Sequence, residues 1–266
     1  MKIFDTHAHY DDDRFDVDRE FLLEGELGKG LEFEDVETAE IVNLTNIGCD
    51  MKTSRITDEF TKKYDYIYGA IGVIPHHVDE MTEADIDELR GMALSNKKIV
   101  AIGEIGLDYY YDSPPRDIQK KWFIRQMELA KELELPLVIH SREAAQDTLE
   151  IMKEIHAEDV GGVIHCYSYS EETAREFLKM GFFFGIGGVV TFKNSKKLKR
   201  AVQSIPLDNI VLETDCPYLT PSPYRGERND SRYLSYVAAE IARLKDISVE
   251  EVAKTTFQNA MRLYNL

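Results

Sequence analysis

The chain has 266 residues, 43% of them hydrophobic, and a formal charge of −17. That length and apolar share allow a large buried core and fit a single α/β barrel, commonly about 250 residues long. The acidic balance excludes a protein that holds duplex nucleic acid mainly by its own field, and no apolar run approaches the roughly 20 residues of a membrane helix.

Read in chain order, short apolar runs alternate with segments of helical periodicity. Strands are predicted near Lys2–Thr6, Glu40–Asn46, Tyr66–Val73, Ile99–Glu104, Leu137–His140, Gly162–His165, Phe182–Gly185 and Ile210–Glu213. Helices are predicted between them at about Ser54–Lys63, Glu83–Ser95, Arg116–Glu134, Arg142–Ile155, Glu171–Met180 and Ser195–Ser204, with two more at Ser231–Leu244 and Ser248–Tyr264. The stretch Glu20–Thr38 should supply the first crossover. Its three glycines and seven acidic residues predict a short or broken helix followed by an irregular acidic segment. Eight strands with helical crossovers imply a parallel sheet closed into a (β/α)8 TIM barrel. No linker or repeat divides the chain, so one domain over 1–266 is expected. Cys49, Cys166 and Cys216 are odd in number and form no metal-spaced pair. Reduced thiols, and an N-terminal MKIFDTHAHY without a long apolar region, lead us to expect a cytoplasmic protein with no membrane association.

Five of the strands end in metal-binding side chains, in the strings FDTHAHYDD, AIGEIGLDYYY, LVIHSRE, GVIHCYS and VLETDCPYLTP. Strand side chains alternate faces, so His7 and His9 point the same way and can grip one ion. A lone histidine at a strand end is ordinarily structural, and Glu104 or Asp215 alone would pass for an ion-pair partner or a loop cap. Five such ends in one chain resist that reading, because unpaired polar groups there are costly. Strands one, four, five, six and eight of a barrel converge at its C-terminal mouth, where such folds place their sites. Two divalent ions about 3.5–4 Å apart would activate water and neutralise a phosphodiester, and they need a shared carboxylate. Glu104 is assigned as that bridge: His7, His9, Glu104 and Asp215 hold one ion, and Glu104, His140 and His165 the other. Asp215 is also the expected general base. Mixed imidazole and carboxylate ligation suits Zn²⁺ or Mn²⁺ and leaves Mg²⁺ open.

Other features are weighed against blander readings. His156 and His77 are assigned to a helix surface and a loop, while His76, near the end of strand three, is left open. The GIGG run at Gly185–Gly188 is a weak phosphate-loop signal that tight strand-to-loop turning explains equally well. The basic runs Lys193, Lys196, Lys197, Lys199, Arg200 and Arg225, Arg228, Arg232 read as solvated faces or as phosphate contacts. The second is the more suggestive, since it follows Asp215 by one loop.

The succession DTHAHYDD, GEIGLDYYY with QKKWFIRQMELAKEL, IHSRE, GGVIHCYS, PLDNIVLETDCPYLTP and TTFQNAMRLY resembles the TatD family of metal-dependent deoxyribonucleases, within the wider amidohydrolase-like barrels. The resemblance runs from Phe4 to about Leu263. It implies two divalent cations (Mg²⁺, Mn²⁺ or Zn²⁺) at the six residues above and hydrolysis of DNA from 3′ ends or in single strands. It also implies that Arg225 and Asn229, within YRGERND, steady a phosphate or the loop itself. No obligate protein partner is indicated. Ile74, Tyr224 and Ser231 stand where the family often has His, His and Pro, which bears on substrate preference and rate. Two alternatives remain: a hydrolase of small phosphoesters, esters or amides, and an attenuated barrel acting as a binding protein.

Overall fold

A computed structural model describes residues 1–266. Eight parallel strands form one sheet in chain order: β1 Lys2–Ala8, β2 Glu40–Ile47, β3 Ile67–Ile71, β4 Ile99–Asp108, β5 Leu137–Arg142, β6 Gly162–Ile164, β7 Phe183–Ile186 and β8 Ile210–Leu212. The sheet closes just beyond β8, where Ala8 bridges Cys216, the Asp215 N–H donates to the His7 carbonyl and the His9 N–H donates to the Cys216 carbonyl, both at 2.9 Å. The result is the expected barrel.

Helices α1 Met51–Lys63, α2 Glu83–Ser95, α3 Arg116–Leu133, α4 Ala145–Ile155, α5 Glu171–Lys179, α6 Lys196–Ser204, α7 Leu234–Lys245 and α8 Val249–Leu263 follow the predicted segments. Their starts are chemically marked. Asp50, Ser170 and Ser248 each accept a bond from a first-turn N–H of α1, α5 and α8, satisfying donors that have no partner within the helix. The first crossover is broken as its glycines foretold. Arg19–Phe21, Leu22–Glu26 and Leu27–Lys29 are short turns around Gly25 at φ 152°, and Gly30 at φ 74° ends them. An L side chain rarely tolerates either conformation. Leu22, Leu23 and Leu27 are nonetheless fully buried, so the segment covers the barrel without being a regular helix.

The main core of 56 buried residues lies between helices and sheet. A smaller cluster includes Phe4, Val138, Val163 and Val211 with Leu263 and Tyr264 of the last helix. Each of these valines stands two residues before a polar side chain: His140, His165 and Glu213. Strand alternation puts each pair on one face. The cluster is therefore the apolar floor beneath the polar group at the mouth, and Tyr264 pins it by donating to the Thr6 carbonyl at 2.8 Å.

Candidate active site

The six residues singled out from the sequence meet at the C-terminal end of the barrel. His7 Nε2 and His9 Nε2 lie 3.1 Å apart. Glu104 reaches in two directions, with Oε2 3.3 Å from His7 Nε2, and Oε1 2.7 Å from His140 Nδ1 and 3.5 Å from His165 Nε2. Asp215 Oδ1 approaches from the other side, 3.3 Å from His9 Nε2 and 3.8 Å from His7 Nε2. Two compact sets, His7–His9–Glu104 and Glu104–His140–His165, share Glu104, and His7 and His165 form a further one with Glu213. Asp215 also groups with His165 and Cys166, a thiol given no role from the sequence. Burial pushes that thiol well above its usual range, so it stays protonated.

Backbone geometry explains the convergence. Glu104 sits mid-strand, because β4 continues to Asp108 beyond the predicted Glu104 end and pairs Asp108 with Arg142 of β5. The register slips between Ile102 and Ile105, beside Gly103 and Gly106. A Cβ on Gly106 would come within 1.8 Å of the His140 carbonyl, so only glycine lets the two strands close at this point. Asp215 and Cys166 hold positive φ at the starts of their loops, turning both side chains toward the mouth.

Two carboxylates that the sequence reading passed over hold the histidines. Asp108 Oδ2 lies 3.1 Å from His140 Nε2, leaving Nδ1 to face Glu104. Its Oδ1 accepts the N–H groups of Tyr110 and Tyr111 at 2.9 and 3.0 Å. Glu213, 1% exposed, accepts the Cys166 N–H at 2.6 Å through Oε1, which also lies 3.2 Å from His165 Nδ1. Gly185 makes the room, for a Cβ there would stand 1.9 Å from Glu213 Oε2. The GIGG run thus serves tight packing around Glu213. A third imidazole, His76, joins through its Nε2, 3.1 Å from Asp108 Oδ2. The only hint in the sequence was that Asp108 and Glu213 each directly follow a leucine at the end of a strand.

The donor set fits a cation. His9 Nδ1 lies 3.0 Å from the Ile47 carbonyl and can donate to it, so with an ion present Nε2 would offer its lone pair to the cluster. By the same logic His140 Nδ1 presents a lone pair to a carboxylate oxygen. The ring nitrogens and carboxylate oxygens lie 2.7–3.8 Å apart, which brackets the spacing between neighbouring ligands of one ion with bonds of about 2.1 Å. The field agrees. Burial disfavours charge on His140 and His165, yet Asp108 and Glu104 for the first, and Glu213 and Glu104 for the second, outweigh it and lift both to about 9. Burial would raise Glu104, but the surrounding imidazoles hold it well below the ordinary carboxylate range.

The other candidates divide. Asn229 is fully buried, and its amide donates to the carbonyls of Thr214 and Tyr218 at 3.1 and 2.7 Å, bracing the loop after β8. Arg225 stacks over Phe192 at 4.4 Å. Of its two neighbours, Arg228 binds Asp18 through two bonds of 2.7 and 2.6 Å and Arg232 binds Asp230, so both are braces. Ser231 is buried and donates to Asp5 at 2.6 Å, while Tyr224 packs among Phe33, Tyr233 and Tyr236. His77 and His156 are exposed beside Asp50 and Glu158, His77 in a 3-10 turn over Pro75–Glu80 and not in an irregular loop, and His156 at the C-terminal cap of α4.

No helix is long and apolar enough to cross a membrane. Residues 4–265 match the family profile described as TatD related DNase. The chain is 44% identical over 264 residues to the uncharacterized metal-dependent hydrolase YabD of Bacillus subtilis, covering 99% of both. It is 39% identical over 191 residues, 72% of each chain, to the uncharacterized metal-dependent hydrolase YcfH of Escherichia coli. Among solved structures it is similar to YjjV, a TatD homolog from Escherichia coli, with a TM-score of 0.89 at 25% identity, covering 99% of this chain and 98% of that one.

Proposed function

Because the chain belongs to the TatD related DNase family and is a metal-dependent hydrolase, we propose that it removes nucleotides from the 3′ end of DNA at a two-metal centre. One observation carries this reading: the two oxygens of Glu104 face separate imidazole sets, Oε2 toward His7 and Oε1 toward His140 and His165. A single carboxylate so placed suits a bridge between two ions. His7, His9 and Asp215 complete one set, and His140 and His165 the other. Bound divalent ions would supply Lewis acidity and offset phosphate charge, with Mg²⁺, Mn²⁺ and Zn²⁺ all compatible with this donor set.

The chain's own residues do the rest. Glu213 and Asp108 fix the orientation of His165 and His140, so that each presents a defined nitrogen. Asp215 is the one cluster carboxylate with solvent access, its side chain 20% exposed against 6% for Glu104. Burial opposes its ionisation, but the bond to His9 and the nearby imidazoles keep it below the usual carboxylate pKa, hence ionised at neutral pH. It is positioned to accept a proton from the attacking water. The surface supports an anionic substrate despite the charge of −17. Arg142 ends β5, Lys193 and Lys197 come after β7 and Arg225 after β8, and none is paired with a carboxylate. Three of them lie over aromatic rings: Arg142 over Tyr110, Lys197 over Tyr169 and Arg225 over Phe192.

The test is product analysis on a 3′-labelled single-stranded oligonucleotide, using protein stripped by chelator and reloaded with Mg²⁺, Mn²⁺ or Zn²⁺ in turn. Stepwise release of mononucleotides, lost in Glu104→Ala and Asp215→Asn, is the expected result. No cleavage by protein shown to hold metal would remove DNA as the substrate.

A further inference from the structure

Arg142 closes β5 two residues after His140, so strand alternation directs both side chains to one face. It lines a cavity of about 340 Å³ together with His140, His165, Asp215 and Tyr218. In a chain with 49 acidic and 32 basic residues, the guanidinium has neither a carboxylate partner nor a hydrogen bond. It rests instead against two tyrosines, 3.9 Å from the Tyr110 centroid and 5.1 Å from that of Tyr111. These rings stand nearly perpendicular at 5.1 Å and remain 56% and 61% exposed. Neither phenolic hydroxyl finds a partner. Such large exposed rings contribute little to the core, and their placement is tightly set. Asp108 takes both their N–H groups with one oxygen and His140 with the other. The backbone that carries the aromatic pair is thus tied to the metal-binding cluster.

We propose that Arg142, Tyr110 and Tyr111 form a nucleotide subsite at the mouth of the barrel. Arg142 clamps a phosphate next to the reacting one, and the tyrosines stack the base attached to it. Five N–H donors in a planar fork match phosphate oxygens. Aromatic faces accept any base, so the subsite favours unpaired ends over particular sequences. This inference rests on the nuclease reading above and adds the means by which a strand is told from a small phosphoester.

The experiment uses the metal-loaded enzyme and a set of single-stranded oligonucleotides in which each of the last three residues is in turn abasic. Removing one of those bases should lower kcat/KM of the wild type by roughly five- to 150-fold, the range for a stacked base. Tyr110→Ala/Tyr111→Ala should lose about as much on the intact strand and become indifferent to the missing base, while Tyr110→Phe/Tyr111→Phe should restore the discrimination. Arg142→Ala should flatten the slope of log KM against log salt by about 0.7, one phosphate contact on a single strand, and Arg142→Lys should largely keep it. Three results would overturn the subsite: a wild type indifferent to every base removed, an alanine pair that discriminates like the wild type, or an unchanged salt slope in Arg142→Ala. Failure to cleave any strand would instead overturn the nuclease reading, and the subsite with it.

Discussion

Glu213→Gln separates the support of a histidine from the histidine itself. The carboxylate is 1% exposed, and its Oε1 serves both the Cys166 N–H at 2.6 Å and His165 Nδ1 at 3.2 Å. An amide keeps the shape and one acceptor but drops the charge that makes His165 a strong donor. Loss of such a supporting carboxylate typically costs 10–100-fold in metal affinity, or about 1.4–2.7 kcal/mol. The bond from Cys166 falls from charge-assisted to neutral, a further loss of about 1 kcal/mol in stability, or about 2–4 °C in Tm for a chain of this size. Calorimetric titration of stripped protein with Mn²⁺ should therefore show one site weakened by 10–100-fold and the other close to wild type. Gly185→Ala should reach the same end without removing charge, since its Cβ would lie 1.9 Å from Glu213 Oε2. Wild-type affinity at both sites in both variants would refute the idea that Glu213 holds His165 for metal.

Three further outcomes are expected. Asp18→Asn breaks a two-bond clamp to Arg228 that ties the first crossover to the loop after β8; with both partners about a third exposed, the loss should be about 0.5–1 kcal/mol in urea melts at pH 7. The bond to Arg228 holds Asp18 below its ordinary pKa, so this contribution is complete above about pH 4 and disappears as the pH falls through the lowered value; a difference persisting at full protonation would contradict it. Ser231→Ala removes one donor from the buried Asp5, which Thr214 and the His7 N–H also bind, and should cost about 1–3 kcal/mol in thermal denaturation. Adding chelator to metal-loaded protein should lower Tm by several degrees, because an ion at 100 times its Kd stabilises the folded state by about 2.7 kcal/mol, whereas an unchanged Tm would mean that the folded chain holds no metal.

Much of this architecture was legible because strand and helix periods are imposed on the sequence by burial. Glu83–Ser95 coincides with its predicted bounds, and Arg116–Leu133 ends one residue short of its own. Boundaries failed where tertiary contacts override local preference. Arg142 was read as the start of a helix, yet it pairs with Asp108 as the last residue of β5, and α4 waits until Ala145 because Glu143 turns at positive φ. Ser231–Tyr233 forms a separate turn capped by Asp230 before α7 begins. The histidines announced themselves because imidazoles at strand ends are unusual. Asp108 and Glu213 did not, since what a carboxylate at the end of a strand touches depends on neighbours far away in sequence. The exposed Tyr110 and Tyr111 carry no such mark. Nothing local marks an aromatic ring as lying outside the core.

The bonds that shut the barrel join His7, Ala8 and His9 to Asp215 and Cys216, so the seam of the fold runs through the site. This has a temporal side. During synthesis the two histidines are made first and their carboxylate partner about 200 residues later, a delay of about 10–40 s at 5–20 residues per second. During that interval Glu104, His140 and His165 are added, and the set of six stays incomplete until Asp215 is made. The last strand therefore delivers the final ligand and the closing bonds of the barrel together.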